Sequence, residues 1–431
     1  MKNFIRGGIY RLLFMGFNFL LGLLIAAMSG AGLFGVISLM IVNASVFHII
    51  TGLGTDSSIL WHGASNKFDL DKLFTFTFFS ALFQIVLFVA ISIIFYETTG
   101  KTLLSSQQSF NYFYFELIYF CGLALTDKYV SVMYAEQRAG LCNRVLSFAA
   151  FSGLLFVSLV YLHVINIKPD PLKIFCITAF AQPVSLILFY HFKKSVTFSK
   201  HFSADDVRSF IAFSFIVFLS NLIQFLAYRV DYWFIDHFKN TEQVGIYAQA
   251  NRFAQLLWII PGIIAALLEP AIANPVNRMN EKQFTFIARI MNYFNLLLVG
   301  AVIIFALFFY RYFLPDIFSD GFRSLLFMLP GFYFLTIPII FAAYFSGKRL
   351  LWINFSGSVL CLLIIGVADI LLIPQFGING AAIANTIAYS ATAIFHIIMF
   401  TRTNGIKTIE LFQLKKDDWK EITKLLFRNA G

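Results

Sequence analysis

The chain has 431 residues, of which 59% are hydrophobic and only 13% are charged. A soluble domain carries about 25% charged residues, so a water-soluble fold is excluded and the chain reads as a polytopic membrane protein. The formal net charge of +10 does not point to nucleic acid, because the basic residues gather in alternate loops and in the tail, which is the pattern of membrane topology.

A membrane-spanning helix needs roughly 20 apolar residues, and twelve stretches qualify. The first six lie near residues 10–28, 33–50, 73–95, 112–133, 145–164 and 174–192. The second six lie near 210–235, 244–269, 286–309, 325–345, 351–373 and 378–401. Lys2, Arg6 and Arg11 precede the first run as they would in a signal peptide, but apolar sequence continues beyond it. It therefore reads as a retained first span.

With the N-terminus in the cytoplasm, most of the 32 Lys and Arg residues fall on the cytoplasmic side. Lys101, Lys168, Lys173, Lys239, Arg311 and Arg323 fall outside, and Lys128, Arg229 and Arg252 fall within spans. The positive-inside rule then places both termini in the cytoplasm. Pro183, Pro261, Pro330 and Pro338 lie within spans, where each removes a backbone hydrogen bond and can kink a helix.

The polar link at 191–208 divides the spans six and six. We expect an N-terminal lobe at 1–192, a cytoplasmic linker at 193–209, a C-terminal lobe at 210–404 and a cytoplasmic tail at 405–431. LFGVISLMI, after the first span, aligns with QVGIYAQAN, after the seventh, so that Gly35 corresponds to Gly245. Two six-helix halves of this kind sit about an axis along the membrane normal and leave a cleft between them. In the tail, residues 417–427 (DDWKEITKLLF) place Trp419, Ile422, Leu425 and Leu426 on one face. That suits either a helix lying on the inner membrane surface or a frayed, solvated tail.

Polar groups inside spans are the candidate functional residues, because each is costly unless it faces water or a partner. Asn221, Gln224, Tyr228 and Asp231 share one face of the seventh span. The stripe is either a cavity wall or a set of interhelical hydrogen bonds. Arg229 points away from that face and sits level with Tyr228, Tyr232 and Trp233, so it is either a site cation or an interfacial anchor. Arg252 lies deeper, ~10 Å beyond Gly245 along the eighth span, with Gln249 and Gln255 beside it. Its planar fork of donors suits phosphate oxygens, and the alternative is a structural pair with an acidic residue such as Asp231. Asp127 and Lys128 are adjacent in the fourth span. There Lys128 either contributes to a site or snorkels to the surface. Asp369, near the end of span eleven, is either a coupling-cation ligand or a hydrogen-bonded structural carboxylate. No Asp or Glu falls in spans one to three.

Catalytic signatures are missing. There is no GxxxxGK[ST] and no HExxH, and no loop long enough to hold a catalytic domain. Cys121, Cys142, Cys176 and Cys361 are scattered in or beside apolar segments and read as packing residues. We therefore expect a transporter rather than an enzyme, with no cofactor and no metal.

Four stretches carry a family resemblance. They are DYWFIDHFKNTEQVGIYAQANRF, SGKRLLWIN, LLIPQFGINGAAIANTIA (with Pro374, Gly377, Gly380, Ala381 and Ala382) and, more weakly, AGLFGVISL. The chain resembles the lipid-linked oligosaccharide (O-antigen-type) flippases, the polysaccharide transporters of the multidrug/oligosaccharidyl-lipid/polysaccharide (MOP) exporter superfamily. It departs from them at Ala27 and Met28, where the family often has an arginine, and at Asp369, where asparagine is common. It also has twelve spans where many members have fourteen.

The resemblance implies an all-α, two-lobed, V-shaped fold in a bacterial inner membrane. It implies alternating access that carries an undecaprenyl-diphosphate-linked sugar repeat to the outer leaflet for lipopolysaccharide-type surface polymers. Polysaccharide polymerase machinery would then be a neighbouring partner. On this reading Arg252 and then Arg229 meet the diphosphate, and Asn221, Gln224, Gln249 and Gln255 meet sugars, with Asp231 and Lys128 in the same site. Asp369 is the candidate for a coupling ion. The alternative is a cation-coupled multidrug exporter of the same superfamily.

Overall fold

The computed structural model describes residues 2–65, 67–165, 170–193, 198–199, 203–273 and 279–413. The proposed amphipathic helix at 417–427 and residues 194–197 and 200–202 of the 193–209 linker lie outside the described residues. Thirteen α-helices appear among the described residues, with two short 3-10 turns and no strand. Ten of these helices are long and apolar enough to cross a membrane.

The chain forms two compact units. One comprises Met1–Trp233 with Asn240–Ile246, and the other Phe234–Lys239 with Tyr247–Gly431.

The first unit begins with α1 (Lys2–Gly52), which holds both of the first two expected spans and bends at Gly30. A short helix, α2 (Thr55–Ala64), follows where the sequence reads as a polar link. Next come α3 (Leu70–Thr99), α4 (Asn111–Ala135), α5 (Ala139–Tyr161), α6 (Pro171–Lys193) and α7 (Ala204–Phe238). α4 coincides with the expected fourth span but is less apolar than the ten, since it carries Glu116, Asp127 and Lys128. Asp69 caps α3 by accepting from the Lys72 backbone N–H at 2.8 Å, which satisfies a donor that has no partner within the helix. α1 packs along α5, and α4 along α6. Part of the resulting core is Ile59, Val132, Met133, Leu146, Leu186 and Phe210.

α7 is tied to this unit at both ends. The Ser58 hydroxyl donates to the Phe210 carbonyl at 3.0 Å. The Trp233 indole donates to Asn43 Oδ1 at 2.8 Å, and Asn43 Nδ2 donates to the Leu104 carbonyl at 2.8 Å. The loop holding Leu104 is in turn anchored by buried Glu116, whose carboxylate accepts from the backbone N–H groups of Leu104 and Ser105 at 3.0 and 2.8 Å.

The two glycines that align in the internal repeat face each other. A Cβ at Gly35 would collide with the Thr241 carbonyl, and one at Gly245 with the Ala31 carbonyl. The second half of α1 and the first turns of α8 (Thr241–Ala254) therefore meet backbone to backbone.

The second unit holds most of α8, then α9 (Leu256–Ala273), α10 (Glu281–Tyr312), α11 (Ser319–Gly347), α12 (Leu351–Phe376) and α13 (Ile378–Asn404). The expected eighth span is broken at Gln255 into α8 and α9. α10 starts with a capping box in which Asn280 and Gln283 satisfy each other's backbone donors at 2.9 and 3.1 Å. α11 packs on α9 and α13, and α12 on α13. Phe284, Phe341, Tyr344 and Phe400 form an aromatic core between α10, α11 and α13. Next to Pro330 in α11, the Thr386 hydroxyl donates to the Phe327 carbonyl at 2.6 Å and accepts from the Gly331 N–H at 3.2 Å. A neighbouring side chain thus serves backbone groups beside a helix-breaking proline, as apolar surroundings require.

Candidate functional site

A cluster of charge inside the first unit is built by one turn. α1 ends at Gly52, and Leu53 and Gly54 then both adopt the left-handed region, with φ of 47° and 73°. Gly54 is needed for a second reason: a Cβ there would meet the Ser214 carbonyl and lie 2.9 Å from the Phe218 nitrogen. This tight turn sends α2 against α4 and α3. It places Asp56 in the first turn of α2, where a negative charge complements the helix dipole.

Asp56 meets α4 there. The Lys128 ammonium is fully buried and lies 3.0 Å from Asp56 Oδ1 and 2.9 Å from the Thr55 hydroxyl. Burial alone would raise the Asp56 pKa, but the Lys128 charge and the His48 ring outweigh it and hold the group below the usual carboxylate range. Asp127, one position before Lys128, points about 100° away around the helix and reaches a cavity instead. Its side chain is 48% exposed.

His48 joins the two carboxylates. Its Nε2 lies 3.2 Å from Asp127 Oδ2 and 3.6 Å from Asp56 Oδ2. On its other side, Gln84 of α3 places Nε2 3.2 Å from His48 Nδ1 and 3.1 Å from the His48 carbonyl. The Nε2 edge of the ring thus faces the carboxylates, and the Nδ1 edge faces the Gln84 amide. The cavity beside this group has a volume of about 250 Å³ and is lined by His48, Asp56, Asp127, Ser131, Asn221 and Phe218, among others. It offers two carboxylates, an imidazole, a hydroxyl and an amide to a ligand rich in hydrogen-bonding groups. Among the described residues, no cluster of three or more His, Cys, Asp or Glu could hold a metal ion.

The residues singled out from sequence divide between the units. In the first, Asn221 is exposed and lines the cavity just described. Gln224 is also exposed, and its amide donates to the Tyr228 hydroxyl at 3.3 Å. Asp231, on the same stripe, is fully buried, and its Oδ1 accepts from the Tyr232 backbone N–H at 3.0 Å. Arg229 is half-buried, donates to the Tyr232 hydroxyl at 3.1 Å and lies 5.4 Å from that ring's centre. Lys128 is held by Asp56 and Thr55 rather than reaching a surface.

In the second unit, Arg252 is half-buried at the end of α8. Gln255 donates to Asn251 Oδ1 at 3.0 Å. Gln249 is fully buried, and its amide has no hydrogen-bond partner among the described residues. Asp369 is fully buried on α12. Two buried groups not singled out from sequence, Asn385 and Tyr247, meet at 2.6 Å.

Sequence reasoning missed Asp56 because it falls just after a span, in a stretch that reads as a loop. The signal was present in the Gly-Leu-Gly-Thr-Asp run at 52–56, since glycines closing an apolar helix predict a tight turn that can hold the next charge close to the helix end.

The helices, the intramembrane charges and the overall course of the chain define a multi-pass membrane protein with the fold of the MOP superfamily transporters. Across 100% of this chain and 99% of the other, it matches lipid II flippase MurJ in its inward closed conformation, with a TM-score of 0.69 at 15% identity. Across 92% of this chain and 98% of the other, it matches an inward-facing multidrug resistance MATE family transporter of the MOP superfamily, with a TM-score of 0.67 at 15% identity. A MOP superfamily transporter from Pyrococcus furiosus, whose binding pocket is described as reversed in polarity, matches over 94% of this chain and 96% of the other, with a TM-score of 0.61 at 14% identity. Residues 172–320 match a family model described as polysaccharide biosynthesis protein. No curated protein matches the chain.

Proposed function

We propose that the chain is a flippase that moves a polyprenyl-diphosphate-linked oligosaccharide from the cytoplasmic to the outer leaflet of a bacterial inner membrane, by alternating access. The observation that carries this reading is the polar cavity beside His48, Asp56, Asp127 and Asn221 in a membrane fold. The polysaccharide biosynthesis match over 172–320 supports the substrate class. A diphosphate with attached sugars cannot cross hydrocarbon unaided, because burying bare charge costs on the order of tens of kcal/mol. Hydroxyls, amides and carboxylates of the kind lining this cavity replace water around sugars.

The diphosphate needs cations, and Arg252 is our first candidate, with Arg229 second. Asn221, Gln224, Gln249 and Gln255 are proposed to meet sugars, and Asp369 to bind a coupling cation. Lys128 contributes indirectly by holding Asp56. On this reading both termini are cytoplasmic, and polymerase machinery acts on the exported product. The test is a deletion strain with labelled lipid-linked sugars. Inner-leaflet accumulation together with loss of surface polysaccharide supports the flippase.

A cation-coupled multidrug exporter is the second reading, and one observation favours it. Asp127 presents a half-exposed carboxylate to the cavity, which suits a cationic drug. In the same deletion strain, intact surface polysaccharide with new sensitivity to cationic drugs would select this reading.

A further inference from the structure

We propose that the groove between α5 and α6 is a binding site for an anionic phospholipid. The lipid phosphate would sit on Arg144, and one acyl chain would run along the groove. This site is separate from the charged cavity and does not depend on the flippase reading.

The groove has a volume of about 640 Å³. It is concave because small residues line its floor, Ala149, Ser152 and Gly153 on α5 facing Ala181 and Ser185 on α6. Larger side chains would have closed the two helices into a flat surface. Aromatic rings stand at its edges, and Phe148 is 63% exposed. A concave apolar channel on a membrane-facing surface takes a hydrocarbon chain.

Arg144 decides which lipid. It is exposed, lines the groove near one end, and has no hydrogen-bond or ion-pair partner among the described residues. It stands in the second turn of α5, at the end of the groove nearest the helix start. A basic group at the end of a groove between transmembrane helices recognises a phosphate head group, and the guanidinium fork fits phosphate oxygens.

The length fits one leaflet. From Arg144 to Phe156 the rise along α5 is about 18 Å, against about 15 Å for half of the hydrocarbon core. A chain that starts at a phosphate on Arg144 and ends near mid-bilayer is an acyl chain of an ordinary membrane lipid. A much longer polyprenyl chain would overrun the groove.

The full-length protein, purified and stripped of lipid, would be titrated in detergent with phosphatidylglycerol and separately with phosphatidylcholine. Bound lipid is read by native mass spectrometry. One arginine near the membrane surface is worth about a fivefold preference for the anionic lipid. Arg144→Gln is expected to abolish that preference, and Arg144→Lys to keep most of it. Ser152→Trp, which fills the groove from its exposed side, is expected to remove the bound lipid while thermal unfolding stays unchanged. Equal retention of both lipids by the unaltered protein, or a preference that survives both Arg144→Gln and Ser152→Trp, would overturn the proposal and leave only general lipid solvation. Arg144-dependent displacement of phosphatidylglycerol by a polyprenyl diphosphate would also overturn it, by assigning the groove to a transported lipid.

Discussion

Lys128 Nζ lies 3.0 Å from Asp56 Oδ1, and the lysine is fully buried while the carboxylate side chain is 25% exposed. The pair joins α4 to the short helix α2 across 72 positions of sequence. Removing Asp56 leaves the fully buried Lys128 charge without its counter-ion, which costs about 3–5 kcal/mol, and removing Lys128 leaves Asp56 with His48 alone beside it. Replacing both by neutral groups avoids that penalty.

Lys128→Met and Asp56→Asn are therefore expected to lower stability strongly as single changes, and the double variant to recover much of the loss. Thermal unfolding of the purified proteins in detergent measures this. Additive losses in the double variant would show that the two groups do not act as a pair. Because the Asp56 pKa is depressed in the fold, the stabilisation is fully present above the ordinary carboxylate range. It is lost only as pH falls through the lower folded value.

Asp127 separates the two functional readings. It faces the cavity and accepts from His48 rather than holding the fold together. Asp127→Asn keeps an acceptor in place, so the change in stability should stay within about 1 kcal/mol. As a flippase, the variant should export less surface polysaccharide at normal expression. As an exporter, it should lose resistance to cationic drugs while polysaccharide stays intact.

Arg252 is tested by its shape as well as its charge. Arg252→Lys keeps the charge but loses the bidentate fork. We expect export to fall in Arg252→Lys and to fall further in Arg252→Ala. Arg229→Ala should do less, since that residue sits level with the interfacial aromatics Tyr228, Tyr232 and Trp233. Normal export in both Arg252 variants would remove it from the diphosphate site.

Gly54 and Gly100 share the left-handed backbone, with φ of 73° and 68°, but only Gly54 is crowded. Gly100→Ala should cost only the backbone strain, about 1–2 kcal/mol. Gly54→Ala must also displace α7 at Ser214 and Phe218, so little folded protein is expected. Yields after size-exclusion chromatography compare the two.

Much of the fold was readable from local pattern. The apolar runs at 73–95, 286–309, 325–345, 351–373 and 378–401 each became one helix, with ends moved by a few residues. The physical reason is that hydrocarbon forces every backbone group to pair within its own segment, so run length alone specifies a helix. Local pattern did not show that the first two spans join through a bend at Gly30, or that the eighth breaks at Gln255. Both depend on what packs against the helix at that point.

The site was less readable. Asn221 was picked out as one residue of a polar stripe, and it does line the cavity. Lys128 was visible as a charge in a span, but its partner was not, because Asp56 sits in what reads as a loop. By itself, then, the sequence determined that this is a helical membrane protein, roughly where its spans lie, and which charges sit among apolar residues. Tertiary structure alone decided which charges meet. Hydrophobic run length is a property of neighbours in the chain, whereas an ion pair across 72 positions exists only once a glycine turn and two packed helices bring its halves within a few ångströms.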